Sequence, residues 1–500
     1  MEAMTFVLFG STGDLAKRKI FPALYNLYVD RKMPEAFSII GLGRKSFNDA
    51  TFQTYVEQSL QQFSRNTPKD RKTVDAFLRS IRYHILNVDD TAGYQELLKL
   101  VEQRESELNI PQNRMFYMSV APEFFGVIAD NINASGLGNT TGWKRLIIEK
   151  PFGHDLESAR QLNKHLSKTF AEEEVFRIDH YLGKPMVQNM ESFTSANPVI
   201  QSLWNNRHIA NVQITASEVV GVEERAGYYD HTGAIRDMVQ NHMLQVLMMT
   251  AMTLPGGHTA DDVRSHKKYI AKALRPIAKE DAHKHIVRAQ YDAGVVSGRE
   301  VQGYQDEPGI ELGSNTDTFV AARIWVDDFS WEGVPFYIRT GKRMKEKSTR
   351  IVIEFKNTMQ NSEICVDCDG QPNMLTISIN PDEKITLQLN RRNVKTGVLE
   401  PMTSEFVMGT DNDPEAYELL IGDALNGDGT FFAHWDEVEL SWQWVQPILE
   451  AFADNSLPLH DYAAGTYGPQ ASDALLAEQG FRWLGDQNAA PVRAGVAAAR

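Results

Sequence analysis

Residues 5–9 are a short apolar run that ends in Gly10-Ser11-Thr12-Gly13-Asp14-Leu15-Ala16 and passes directly into a helical pattern over 14–30. This junction constrains the fold more than any other stretch of the chain. A glycine at the end of a strand permits a tight turn, and a second lets the backbone approach a ligand. A small residue after it lets the helix pack closely on the sheet. Strand, glycine loop and helix together open a βαβ unit. The alternation continues, with apolar runs at 38–42, 82–86, 115–120 and 145–148 between helical patterns at 51–63, 94–108 and 123–133. Strands separated by helices of this length predict a parallel sheet. Pro22 is expected to kink or break the first helix.

After a last short run at 175–178 the pattern changes. A helical stretch over 184–196, a strand over 209–219 and a long apolar helix over 233–252 come first. Runs at 319–326, 334–339, 350–355, 375–379 and 384–389 follow at hairpin spacing, which favours an antiparallel sheet. Helical patterns return at 415–425 and 436–453. The expected fold class is α/β: an amino-terminal Rossmann-like doubly wound parallel sheet plus a larger α+β domain with a mainly antiparallel sheet. The expected boundaries are 1–183 for the dinucleotide-binding domain, 184–488 for the α+β domain and 489–500 for a flexible, alanine-rich tail.

Five hundred residues are too many for one ordinary core, and 42% hydrophobic with 23% charged residues is the composition of a folded globular chain. A net charge of -15 opposes nucleic acid and anionic membrane as partners, so an anionic substrate would need a local basic pocket. No run of eighteen apolar residues is present, and the amino end lacks the basic start of a signal peptide. Cys365 and Cys368 stand without a second pair or suitably spaced histidines, so neither a zinc site nor any other special role is expected of them. A reducing cytoplasm is the expected compartment.

The loop places Gly10, Ser11, Thr12, Gly13, Asp14 and Leu15 at the start of a helix, whose partial positive charge favours phosphate. A strand that selects NAD ends in a carboxylate for the ribose hydroxyls. Here the second strand ends Gly41-Leu42-Gly43-Arg44-Lys45. Guanidinium pairs well with a phosphate dianion, so Arg44 points to NADP, with NAD tolerated. The strand at 144–148 ends Glu149-Lys150-Pro151. Lys150 is placed to reach the cofactor, and Pro151 to press on the nicotinamide.

Arg177-Ile178-Asp179-His180-Tyr181-Leu182-Gly183-Lys184 concentrates two cations, a carboxylate and an imidazole. A carboxylate beside an imidazole is the raw material of a general-base dyad. His180 and Lys184, four apart, would share a helix face as a cationic clamp for an anion. Along the 233–252 helix the apolar stripe is Ile235, Met238/Val239, Val246 and Met249, and His242 falls on it by 3.6 periodicity. A buried imidazole served by Asp179 would be a tuned base. A strand also delivers Lys342 into the turn Thr340-Gly341-Lys342-Arg343.

These motifs, in this order, resemble those of glucose-6-phosphate dehydrogenases. The block 177–184, the run Gln240-Asn241-His242-Met243-Leu244-Gln245 and the stretch 336–343 with Lys347 carry the resemblance, which extends from the phosphate loop to about residue 485. It implies His242 as base and Asp179 as its partner. It also implies His180, Tyr181 and Lys184 on the 6-phosphate, and Lys150, Glu218, Asp237, Lys342 and Lys347 on the sugar. NADP, glucose 6-phosphate, no metal, and a homodimer or homotetramer built on the large sheet complete what it implies. The Glu-Lys-Pro motif is shared with sugar dehydrogenases of the glucose–fructose oxidoreductase type, which handle unphosphorylated sugars. A nucleotide-sensing protein without catalysis is the reading from another class, and it predicts a lost base or dyad partner.

Overall fold

A computed structural model describes residues 1–67, 70–253, 259–357, 371–409 and 412–486. Cys365, Cys368 and the tail at 489–500 lie outside them.

Strands β1 (Met4–Phe9), β2 (Phe37–Gly43), β3 (Ile81–Ile85), β4 (Arg114–Met118), β5 (Lys144–Ile148) and β6 (Val175–Arg177) form one sheet in the order β3-β2-β1-β4-β5-β6. Every pairing in it is parallel. Parallel strands covered on both faces read as unbroken apolar runs, and all six residues of β1 are buried. The strand order reverses at β1, and the crevice beyond the carboxyl ends there is where such sheets take ligands.

Helices Asp49–Phe63, Thr91–Leu108 and Phe125–Ser135 stand where periodicity predicts them, and Arg71–Arg79 and Leu156–Leu166 are additional. The first helix is not one kinked α-helix. Ala16–Ile20 is a π-helical stretch, and an α-helix takes over at Phe21–Val29 with Pro22 in its first turn. A first turn tolerates the missing N–H of proline, so Pro22 opens this segment instead of breaking it.

The larger sheet contains β7 (Ile209–Ser217), β8 (Ile286–Asp292), β11 (Phe319–Ile324), β12 (Phe336–Gly341), β13 (Ser348–Phe355), β14 (Met374–Asn380), β15 (Lys384–Arg392), β16 (Leu399–Val407) and β17 (Leu459–Ala463). The intervening β9 (Gly294–Val296) and β10 (Arg299–Val301) make a separate antiparallel pair. The nine-stranded order is β16-β15-β14-β13-β7-β12-β11-β8-β17. It is mainly antiparallel, but β7–β12 and β8–β17 are parallel pairs. Hairpin spacing suggests that β12 pairs with β13. Instead β7, buried along almost its whole length, inserts between them. Short loops report local neighbours only, and a strand from earlier in the chain can still take the central place.

The chain forms two compact units, each assembled from separated segments: Met1–Ala196 with Gln240–Lys272 and Thr410–Gln446, and Asn197–Val239 with Ala273–Gly409 and Pro447–Arg500. A change of pattern along the sequence cannot show such interleaving.

Glu149, at the carboxyl edge of β5, accepts hydrogen bonds from Tyr117 Oη at 2.6 Å and Tyr417 Oη at 3.5 Å. Burial pushes its carboxyl up to about 7, against those hydrogen bonds and the nearby Lys150 charge. Between about pH 4.5 and 7 the folded chain therefore holds a proton that the unfolded chain has lost, and stability falls as pH rises through that window. Glu149→Gln is expected to gain on the parent as pH rises, its melting-temperature difference shifting by about 3 °C or more between pH 5 and pH 8. Thermal unfolding at the two pH values checks this, and a flat difference means that Glu149 stays ionised.

Candidate functional site

The phosphate loop is fastened to the end of β2. Ser11 N–H and Oγ both donate to Leu42 O, at 2.9 and 3.0 Å. Gly10 has φ +77°, and a Cβ there would lie 2.0 Å from Ser119 O, beyond β4. Only glycine satisfies both conditions. A Cβ on Gly43 would meet Thr12 at 3.2 Å, so the last residue of β2 lies against the loop, and the exposed Arg44 follows it. Gly13 and Asp14 are exposed, Thr12 and Leu15 are half-buried, and the helical stretch starts at Asp14. Asp14 pairs with Arg18 at 2.7 Å. An exposed glycine backbone at a helix start, with a guanidinium at the neighbouring strand end, fits the phosphates of a nicotinamide dinucleotide.

β6 delivers Asp179 and His180. Asp179 Oδ1 lies 2.6 Å from His242 Nδ1 and also accepts the Tyr181 amide at 2.9 Å. His242 is 0% exposed and Asp179 3%. Burial pushes the Asp179 carboxyl up, but the charge and hydrogen bond of His242, with smaller help from His180 and the Tyr181 amide, bring it down to about 2. Asp179 is thus a carboxylate at any working pH. A carboxylate on Nδ1 fixes the neutral tautomer with its proton there, so the basic lone pair is on Nε2. Tyr181 stacks on the His242 ring at 4.5 Å and 20°, and His180 meets the same ring edge-on at 4.4 Å. The imidazole plane is therefore fixed from two sides as well as through Nδ1.

Two expectations need correction here. His180 and Lys184 do not share a helix face. Residues 180–183 form a turn, and Lys184 is the cap preceding the Pro185–Ser195 helix. The clamp is also not doubly cationic. Burial holds His180 well below the usual imidazole range, and the charges of His242, Lys150 and Lys184 depress it further, against the opposing pull of Asp179. His180 is a neutral hydrogen-bonding group, and the positive charge around it comes from Lys150 and from Lys184, whose Nζ lies 5.3 Å over the Tyr181 ring. Pro151 follows Lys150 through a cis peptide bond, and both are half-buried.

Every residue of the expected stripe is buried, His242 among them. The helix type differs: Ile235–Met243 is π-helical, and α-geometry resumes at Leu244–Ala251. Asp179, His180 and Tyr181 surround the buried imidazole.

In the second unit Lys342 Nζ bonds Glu218 Oε2 at 2.7 Å and lies 4.9 Å over the Tyr229 ring. Burial, then the charges of Asp237, Asp317 and Glu218, push the Tyr229 hydroxyl well above its ordinary range. Glu218, Asp237 and Lys342 are thus gathered around one tyrosine, and Lys347 is exposed beyond the end of β12. Sequence reasoning missed Glu149, Tyr229 and Asp317. The Glu-Lys-Pro motif was a signal for the first, but burial of a carboxyl or phenol leaves no pattern of its own. Among the described residues no three His, Cys, Asp or Glu side chains group as a metal site would need.

Comparison with known proteins agrees in both halves of the chain. Residues 7–189 match the glucose-6-phosphate dehydrogenase NAD binding domain, and residues 192–484 match the C-terminal domain of the same family. Glucose-6-phosphate 1-dehydrogenase of Bacillus subtilis (strain 168) is 46% identical over 481 residues, covering 95% of this chain and 97% of the relative. The Leuconostoc mesenteroides enzyme of the same name is 40% identical over 488 residues, covering 97% and 99%. A solved glucose-6-phosphate dehydrogenase in complex with its substrate superposes with a TM-score of 0.87 at 34% identity, covering 96% of this chain and 98% of that one. An Asp–His pair at the carboxyl edge of a dinucleotide-binding sheet, and matches that run almost from end to end, have one explanation: the chain belongs to the glucose-6-phosphate dehydrogenase family.

Proposed function

We propose that the chain oxidises β-D-glucose 6-phosphate at C1 to 6-phospho-D-glucono-1,5-lactone, with NADP as hydride acceptor, the entry step of the oxidative pentose phosphate pathway. The observation that carries this reading is the buried His242 Nδ1–Asp179 Oδ1 contact at 2.6 Å, in a chain whose relatives carry that activity in their names. A nicotinamide dinucleotide, when bound, supplies the hydride acceptor. Gly10, Ser11, Thr12, Gly13, Asp14 and Leu15 would hold its phosphates, Arg44 the 2′-phosphate, and Lys150 and Pro151 the nicotinamide end.

His242 Nε2 takes the proton of the C1 hydroxyl as hydride leaves C1, and the C1–O bond becomes the lactone carbonyl. The imidazolium so formed is met by the Asp179 carboxylate, which is already ionised and needs no rearrangement. Lys184 and Tyr181 receive the 6-phosphate, with His180 as a neutral partner. Glu218, Asp237, Lys342, Lys347 and Lys150 orient the ring through its hydroxyls. The Glu218–Lys342 bond supports this, because a paired carboxylate and ammonium present an acceptor and a donor to adjacent hydroxyls. Exposed Met402, Phe406 and Val407 on β16 support a homodimer or homotetramer. Among the described residues no helix is long and apolar enough to cross a membrane.

His242→Asn is expected to keep the fold and lower turnover about 10²–10⁴-fold with little change in sugar affinity. Asp179→Asn acts in the same direction by spoiling the tautomer. Steady-state rates with glucose 6-phosphate check both, and a near-native His242→Asn rate removes the base assignment. The same assay tests the function itself: reduced nicotinamide should form with glucose 6-phosphate and not, at comparable concentrations, with glucose.

Lys184→Ala is expected to weaken glucose 6-phosphate by about ten- to a hundredfold, the worth of one charge-assisted bond. Glucose, which lacks the phosphate, should be used equally by parent and variant. An unchanged preference ratio places the phosphate elsewhere.

Arg44→Ala/Lys45→Ala is expected to raise the KM for NADP about tenfold or more and leave that for NAD nearly unchanged, since the coenzymes differ only by the 2′-phosphate. Arg44 is exposed, so high salt should imitate the effect weakly. Equal KM changes for the two coenzymes would make the basic pair ordinary surface charge.

A further inference from the structure

The first turn of the helix that carries Asp237 and His242 is capped by Asp317, 82 residues beyond Ile235 in the chain. Its carboxylate Oδ2 accepts the Ile235 amide at 2.8 Å, and its own carbonyl accepts the Ala234 amide at 2.8 Å. Helix starts leave such N–H groups unsatisfied, and a local Ser, Thr, Asp or Asn usually takes them. Here Gly233 opens the helix with φ +69°, and a Cβ there would lie 2.5 Å from Asp317 Oδ1. Glycine at 233 is what lets the distant carboxylate reach the helix. Asp317 is 4% exposed. Burial pushes its carboxyl up to about 6, against the amide bonds and the charges of Arg236 and Arg288.

The segment holding this cap is tied to the other sugar-facing side chains. Thr318 O accepts the Lys342 amide at 3.0 Å, and Glu218 N–H donates to Gly341 O at 3.0 Å. Tyr229 Oη lies 3.4 Å from Asp317 O, and the Tyr229 ring faces Lys342 Nζ. Two consecutive residues therefore grip both the first turn of the Asp237 helix and the strand end that presents Lys342.

We propose that Asp317 is a positioning residue for sugar binding, which holds the Asp237 turn in register with the Lys342–Glu218 pair by capping the helix from outside it. This rests on the reading of Asp237 as a sugar ligand. Asp317 touches no reacting atom. His242 is held separately by Asp179, so loss of the cap should be felt in sugar affinity far more than in turnover.

Four variants test it by steady-state kinetics, with melting temperatures measured alongside. Asp317→Ala is expected to raise the KM for glucose 6-phosphate about tenfold, leave the KM for NADP within about twofold, and keep kcat within about threefold. Asp317→Asn, which keeps an oxygen in the same place, should restore sugar KM to within about threefold of the parent. Asp237→Ala should raise sugar KM by itself, and Asp317→Ala/Asp237→Ala should be no worse than Asp237→Ala within about twofold, because one residue acts through the other. If alanine at 317 does not fold, Gly233→Ala, whose Cβ would displace the carboxylate, must show the same sugar-only loss. Additive losses, an equal fall in both KM values and kcat, or a normal sugar KM in Asp317→Ala or Gly233→Ala would overturn the inference. Should Asp237→Ala leave sugar KM unmoved, the sugar assignment of Asp237 fails and the inference goes with it. A normal Asp317→Ala beside an impaired Asp237→Ala sinks the inference alone.

Discussion

A carboxylate and an imidazole 2.6 Å apart, with at most 3% of either exposed, set the terms for everything around them. Each group is costly to bury alone, and removing either leaves a polar partner uncompensated in the interior. The pair persists because two separate pieces of chain converge on it. β6 brings Asp179, the following turn folds the Tyr181 amide back onto the same carboxylate oxygen, and the 235–251 helix brings His242. The rings of His180 and Tyr181 then close over the imidazole. The turn after β6 is thus built as a cover for the imidazole.

Two carboxyls at the same edge of the parallel sheet end in opposite states. Asp179 is brought down to about 2 and Glu149 pushed up to about 7, although both are buried. The difference lies in the partners. Asp179 bonds directly to an imidazole that can carry a full charge, whereas the direct partners of Glu149 are two phenols, and the Lys150 charge acts on it more weakly. Burial favours the neutral acid in both places, and the directly bonded imidazole does most to reverse it at Asp179. Burial, and then the charges around it, hold His180 below the usual imidazole range, so the positive charge at this edge rests on Lys150 and Lys184.

Much of this was legible in the chain itself. Apolar runs marked the six parallel strands because strands covered on both faces need them, and the glycines marked the phosphate loop because Gly10 has no room for a Cβ. Asp179 and His242 were legible as chemistry. The burial of His242 and its pairing with Asp179 were legible too, but the local backbone was not, because a turn at 180–183 and a π-helix at 235–243 both depart from the α-helical period. The insertion of β7 between β12 and β13 was hidden for a different reason. Pairing between distant strands is fixed by burial in the finished sheet, and hairpin spacing carries no record of it.

The π-helical stretch shows why loss of a simple periodicity is informative. A π-helix bonds residue i to i+5, so its turn is wider than that of an α-helix and faces read at a 3.6 period no longer apply along it. Asp237 and His242 are five apart and both fall within Ile235–Met243. Such stretches are rare and frequently stand at functional sites. Near its start Asp317 accepts the Ile235 amide, and near its end the Asp179 carboxylate holds the His242 ring. Both partners come from parts of the chain far from the helix in sequence, which is why no local pattern announced either contact.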